Sequence, residues 1–184
     1  MNPSLIIVDD FAPNPQQVRL LALGSDFGTY PFQGVMYKGV GGSNQPNLEK
    51  EIARALGPVK LVLSFFRLGT PGNDPTTYIH ADRNCAEWAG VLYLSRPQDC
   101  RGGTAFWTHP EHGDRVPAQA DWTRLNSEGA DESLWKMNGL AGMKFNRFVA
   151  YRSDLFHSRY PKEAWGTGPT DGRLIWTCFF NRMP

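Results

Sequence analysis

Nineteen glycines and fourteen prolines divide the 184-residue chain into short pieces, and this punctuation limits the fold more than any other feature. Helices of ordinary length do not survive a breaker every few residues, whereas short strands joined by turns do. From residue 59 onward the pieces are β-branched and aromatic: Val59–Leu68, Thr76–Asp82, Trp88–Ser95, Thr104–Thr108, Phe145–Arg152, Leu155–Tyr160 and Arg173–Asn181. Turn-forming stretches separate them, as at Thr70-Pro71-Gly72-Asn73-Asp74-Pro75 and Cys100-Arg101-Gly102-Gly103. Strand after strand at this spacing predicts an antiparallel sandwich or barrel, not a parallel sheet of alternating strands and helices.

The first 58 residues read differently. Leu5–Val8 is a short β-type run. Pro13-Asn14-Pro15 offers a helix start, with Gly24 as the stop after Leu23. Residues 25–46 are rich in glycine and aromatic groups and read as a long loop or irregular hairpin. From Asn47 to Leu56, Leu48, Ile52 and Leu56 share one helical face, and Gly57-Pro58 closes it. These two helices are expected to pack on one outer sheet face. Residues 109–144 interrupt the strands with charged clusters, Trp122, Trp135 and a helix near Asp131–Met137, and read as an insert. The expected organisation is one domain over 1–184: 1–58 a helical support with an aromatic loop, and 59–181 a β core carrying the insert.

Nineteen basic against eighteen acidic residues leave a net charge of +1, too little to hold a polyanion, so nucleic acid is not an expected partner. The apolar runs at Leu5–Val8 and Leu61–Phe66 fall far short of the ~20 residues of a membrane helix. Met1-Asn2-Pro3-Ser4 lacks the basic start of a secretory signal. Three scattered cysteines, Cys85, Cys100 and Cys178, suit a reducing cytoplasm.

Chemistry is concentrated in four histidines, two of which open a His-x-Asp pair. On a strand, residues i and i+2 project from one face, so His80 and Asp82, following Thr76-Thr77-Tyr78-Ile79, can aim together into an interior. His112 and Asp114 lie in a polar stretch, His109–Pro117, that reads as a surface loop. There His109, Glu111 and His112 would form a metal site only if something fixed their geometry. His157 sits where a turn enters a strand; alone it reads equally as a hydrogen-bonded core histidine. With His80 and Asp82 it makes two imidazoles and a carboxylate, which cap one face of an octahedral metal and leave the opposite face open. Arg173 opens an apolar terminal strand. Read alone it is an exposed strand-end residue; turned inward, it would need an anion, and a carboxylate fits a guanidinium bidentately.

Taken in order, Thr77–Asp82, Gly90-Val91-Leu92-Tyr93-Leu94-Ser95, Gly102-Gly103-Thr104-Ala105-Phe106-Trp107, His157 and Gly172-Arg173 resemble the 2-oxoglutarate/Fe(II)-dependent dioxygenases, and within them the prolyl-hydroxylase-like branch. The resemblance spans roughly residues 59–181. It implies a mainly β fold with flanking helices, a double-stranded β-helix of the jelly-roll or cupin-like kind. It implies His80, Asp82 and His157 as ligands of Fe(II), Arg173 as partner of the 2-oxoglutarate C5 carboxylate, and Tyr93 with its hydroxyl near that carboxylate. The implied reaction is hydroxylation with O2, releasing succinate and CO2, on a peptide side chain, amino acid or small natural product. Arg83, next to the metal motif, and Trp107, at a strand end, are candidate substrate contacts. Two positions depart from the family: Ala105 replaces a frequent Thr, with Thr104 before it, and Phe66-Arg67-Leu68 stands where a cosubstrate-binding Tyr is common. A cupin-like metalloenzyme that does not use 2-oxoglutarate, and a non-catalytic β-sandwich binding module, are the alternatives.

Overall fold

The computed structural model describes residues 4–32, 35–42, 45–75, 77–82 and 85–184. Its strands are β1 (Leu5–Val8), β2 (Phe27–Phe32), β3 (Val35–Gly41), β4 (Val59–Gly69), β5 (Trp88–Tyr93), β6 (Gly103–Thr108), β7 (Lys136–Gly142), β8 (Phe148–Arg152), β9 (His157–Tyr160) and β10 (Arg173–Arg182). Its helices are α1 (Pro15–Leu23), α2 (Glu49–Leu56) and α3 (Trp122–Glu128). A seven-stranded sheet runs β1-β8-β5-β10-β4-β3-β2 and a three-stranded sheet runs β7-β6-β9; every pairing is antiparallel.

The alternation along β10 explains the layering. Leu174, Trp176, Cys178 and Phe180 face one way and join the cluster that holds Val18 and Ala22 of α1 and Ile52 and Leu56 of α2. Ile175 and Phe179 face the other way, into the space between the sheets, with Val91, Phe106, Val149 and Tyr151. A strand covered on both faces has no polar side to show, so β5 is buried throughout and reads as a continuous apolar run. Gly90 in its middle has a packing cause: a Cβ there would meet the Phe148 ring at 2.6 Å and the Cys178 sulfur at 2.7 Å. A third cluster, with Tyr78, Ile79, Trp107, Leu125, Trp135 and Phe156, lies on the far side of the small sheet under residues 109–135.

Both N-terminal helices form where the sequence puts them. Arg19 of α1 turns inward and donates to the carbonyls of Leu94 and Thr170, fixing the helix to the end of the large sheet. Of the two readings of residues 25–46, the irregular hairpin is the one that forms: β2 and β3 pair with a register shift and widen the large sheet by two strands. Two expectations need correction. Of the expected strand Thr76–Asp82, the described residues 77–82 form no strand and only His80 bridges, to His157. The insert ends before residue 136, because Lys136–Gly142 is a strand of the small sheet. Its helix is α3, capped by Asp121 accepting from the Arg124 amide at 3.1 Å. Asp131 caps only a short 3-10 turn at Glu132–Leu134. No helix among the described residues is long and apolar enough to cross a membrane.

Candidate metal centre

Backbone pairing brings the sequence-distant histidines together. The His80 amide donates to the His157 carbonyl at 3.0 Å and the His157 amide to the His80 carbonyl at 2.8 Å. The Asp82 amide donates to the Ser153 carbonyl at 2.7 Å. Buried Tyr78 and Ile79 anchor the segment that leads into this bridge. The result is a cluster in which one ligand atom from each of His80, Asp82 and His157 lies within 4.8 Å of the others. Nε2 of His157 is 3.2 Å and Nε2 of His80 is 3.8 Å from the Asp82 carboxylate.

The rings are oriented from behind. Nδ1 of His80 is 3.0 Å from the Tyr78 carbonyl, and Nδ1 of His157 is 2.9 Å from the Leu155 carbonyl. A carbonyl only accepts, so each ring keeps a proton on Nδ1 and presents Nε2 toward Asp82, with the His157 Nε2 within hydrogen-bonding distance of the carboxylate. Burial, reinforced by the His157 imidazole, pulls His80 down to about 4. Burial alone would raise Asp82, but His157 and then His80 outweigh it and hold the carboxyl at about 2. At neutral pH His80 is therefore neutral and Asp82 charged, the protonation states that ligation requires. Two imidazoles and a carboxylate on one side of an open position suit a divalent ion such as Fe(II).

The cluster lines a cavity of about 400 Å³ between the sheets. Arg173, 7% exposed, also lines it, and its Nε has no hydrogen-bond partner among the described residues. Its guanidinium lies 5.7 Å from the centre of the Tyr93 ring. Burial pulls Arg173 below the ordinary guanidinium value. The Tyr93 hydroxyl is 2.7 Å from the Thr104 hydroxyl, donates to the Ala141 carbonyl at 3.2 Å and also lies within hydrogen-bonding reach of Arg173. Thr104 reaches the cavity wall.

The other sequence candidates lie elsewhere. Trp107 is buried on the far side of the small sheet, donates to the Ser158 hydroxyl at 3.0 Å and stands outside the cavity lining. Arg83 lies outside the described residues. Asp114 is exposed and accepts from the Thr108 hydroxyl. His109 has both nitrogens occupied: Nδ1 accepts from the amides of Glu111 and His112, and Nε2 lies 3.1 Å from Glu128. It organises the loop instead of offering a free ligand. Sequence reasoning passed over Arg67, whose side chain lines the cavity from β4. The available signal was its alternation with Leu63 and Phe65, which puts all three on one strand face.

Comparison with known proteins adds three findings. Residues 76–180 match the model of a family described as a family of unknown function, DUF6445. No curated protein matches the chain. Among solved structures, the chain is similar to SnoK, a non-heme alpha-ketoglutarate-dependent carbocyclase from nogalamycin biosynthesis. That likeness has a TM-score of 0.61 at 13% identity and covers 97% of this chain and 79% of that one. The epimerase SnoN, in complex with Fe3+, alpha-ketoglutarate and nogalamycin RO, gives a TM-score of 0.53 at 12% identity, covering 97% and 79%. Iron-bound HygX from Streptomyces hygroscopicus gives 0.55 at 13%, covering 98% and 82%. The chain shares their overall fold.

Proposed function

The chain belongs to DUF6445, a family of unknown function, and we propose that it is an Fe(II)- and 2-oxoglutarate-dependent dioxygenase that hydroxylates a small molecule or peptide side chain. One observation carries this reading: a single cavity holds two imidazoles and a carboxylate poised around one point, together with a buried arginine that has no carboxylate partner and whose Nε has no hydrogen-bond partner among the described residues. His80, Asp82 and His157 would hold the iron. Arg173 would pair with the C5 carboxylate of 2-oxoglutarate, because a buried cation without a counter-charge is costly and a bidentate carboxylate removes that cost. Tyr93 supports the guanidinium from below, and Thr104 is the hydroxyl beside it. Bound together, iron and 2-oxoglutarate supply the oxidation of an unactivated C–H bond by O2, with release of succinate and CO2.

The fold supports the same reading. We interpret the two antiparallel sheets, with the site between them, as the double-stranded β-helix of the prolyl-hydroxylase-like branch. Three free thiols fit a cytoplasmic setting. The test is anaerobic addition of Fe(II) and then 2-oxoglutarate to the purified protein. A metal-to-ligand charge-transfer band that is absent from Asp82→Ala, and succinate formation on admitting O2, are expected. Stoichiometric metal binding with neither band nor succinate would replace this reading with a metalloenzyme that does not use 2-oxoglutarate.

A further inference from the structure

We infer that Arg67 is the docking point for a carboxylate on the primary substrate, so that the enzyme acts on an organic acid with an apolar body. This inference rests on the dioxygenase reading above. Among the described arginines lining the cavity, Arg67 makes no hydrogen bond and no ion pair within 4 Å, and Arg173 has an Nε without a hydrogen-bond partner. Arg19 donates to two carbonyls and Arg159 is paired with Asp74 at 2.5 Å. An inward guanidinium left open in this way is a site awaiting an anion.

The sheet keeps the two open guanidiniums apart. Arg67 pairs across strands with Ile175 and Arg173 with Gly69, so both project from the inner face as diagonal neighbours. They lean in opposite directions, Arg173 over Tyr93 of β5 and Arg67 over Tyr37 of β3, 5.9 Å from its ring centre. In the order β5-β10-β4-β3 those supporting strands lie on opposite sides of the β10–β4 pair that carries the two arginines. A five-carbon diacid held at the metal by one end and at Arg173 by the other leaves Arg67 free.

Charge balance leads to the same residue. Asp82 is the sole carboxylate among the described residues lining the cavity, facing Arg67, Arg159 and Arg173. A divalent metal against Asp82 leaves one positive charge, and Arg173 makes it two, which the 2-oxoglutarate dianion cancels. Asp74 cancels Arg159. The charge of Arg67 remains, and a single carboxylate neutralises it. Beyond Arg67 the same face of β4 presents Phe65 and Leu63, with Phe179 6.3 Å from Phe65, an apolar wall for the body of the acid.

The test is calorimetric titration of acetate, hexanoate, benzoate and 3-phenylpropionate, each against its primary amide. It is run on the protein alone and on the protein loaded with redox-inert Zn(II) and 2-oxoglutarate. At least one acid should bind the wild type about thirty-fold more tightly than its amide, the size of a charge-assisted hydrogen-bonded pair. Arg67→Gln should remove that preference while leaving 2-oxoglutarate affinity within about threefold, and Arg67→Lys should keep part of it. Acids and amides binding the wild type alike would overturn the inference, as would loss of 2-oxoglutarate affinity in Arg67→Gln equal to that in Arg173→Gln. Failure of the loaded protein to take up 2-oxoglutarate would instead defeat the dioxygenase reading, while the titrations on the protein alone still decide the role of Arg67.

Discussion

Replacing Arg173 with methionine should make the metal-free protein more stable and at the same time insensitive to 2-oxoglutarate. The side chain is 7% exposed, and its Nε has no partner among the described residues. Exchanging an uncompensated interior charge for an apolar chain of similar length gains ~1–4 kcal/mol. Against this stands the stacking on Tyr93, worth ~0.5–2 kcal/mol. The cavity beside the guanidinium softens the desolvation further, so a net gain of about 1–2 kcal/mol is expected. For a chain of this size that is an increase of roughly 2–8 °C in melting temperature. Wild-type protein with a divalent metal and 2-oxoglutarate at a hundred times its dissociation constant should gain ~2.7 kcal/mol, or about 5–11 °C, and the variant nothing. Calorimetric or fluorescence melts with and without 2-oxoglutarate measure both effects. A variant that melts several degrees below wild type and still responds to 2-oxoglutarate would refute the reasoning, because Arg173 would then already be satisfied within the fold.

Three further outcomes are expected. The depressed values of His80, about 4, and Asp82, about 2, make their contribution to the stability of the metal-free protein fully present above pH ~6.5. It is lost as pH falls, first as His80 resists charging between ~6.5 and 4, then as Asp82 is neutralised; the unfolding free energy from urea titration should fall by roughly 1–3 kcal/mol from pH 7 to 4, and by less in His80→Asn. Replacing both His112 and Asp114 with alanine should leave bound metal per chain unchanged by elemental analysis, whereas His80→Ala should lose it. Gly90→Ala should cost ~1–3 kcal/mol in chemical denaturation, because the added methyl meets Phe148 and Cys178 at under 3 Å; a neutral result would mean that the helix-covered face of the large sheet repacks easily there.

Much of the frame was legible because it rests on local chemistry. Pro15 and Gly24 mark α1, and Leu48, Ile52 and Leu56 mark the buried stripe leading into and along α2. The order His80, Asp82, His157, Arg173 could be read because each is a polar residue set into an apolar run. What stayed hidden depends on partners distant in sequence. Lys136-Met137-Asn138-Gly139-Leu140-Ala141-Gly142 has two glycines and exposes Leu140, so nothing local marks it as a strand; pairing with β6 makes it one. Thr76–Asp82 has strand composition, yet its described residues find only the His80–His157 bridge. Trp107 ends an apolar strand, and whether its face meets the cavity or the insert depends on what covers the small sheet. Arg67 carried a signal, a charge within Val59–Gly69, but only the inner position of β4 gives that charge a purpose.

The two-bond bridge between His80 and His157 also bears on the order of events during folding. It closes a loop that contains β5 to β8 and all of α3, and such a closure costs chain entropy that local contacts do not repay. Before β9 docks, the two imidazoles are separated by most of the β core, and no ion can collect them. On the proposed reading, iron would load onto finished protein, and metal-free protein should keep its strands paired and its His80–His157 bridge closed. Chain made under iron scarcity would then fold empty and could be charged later without being synthesised again.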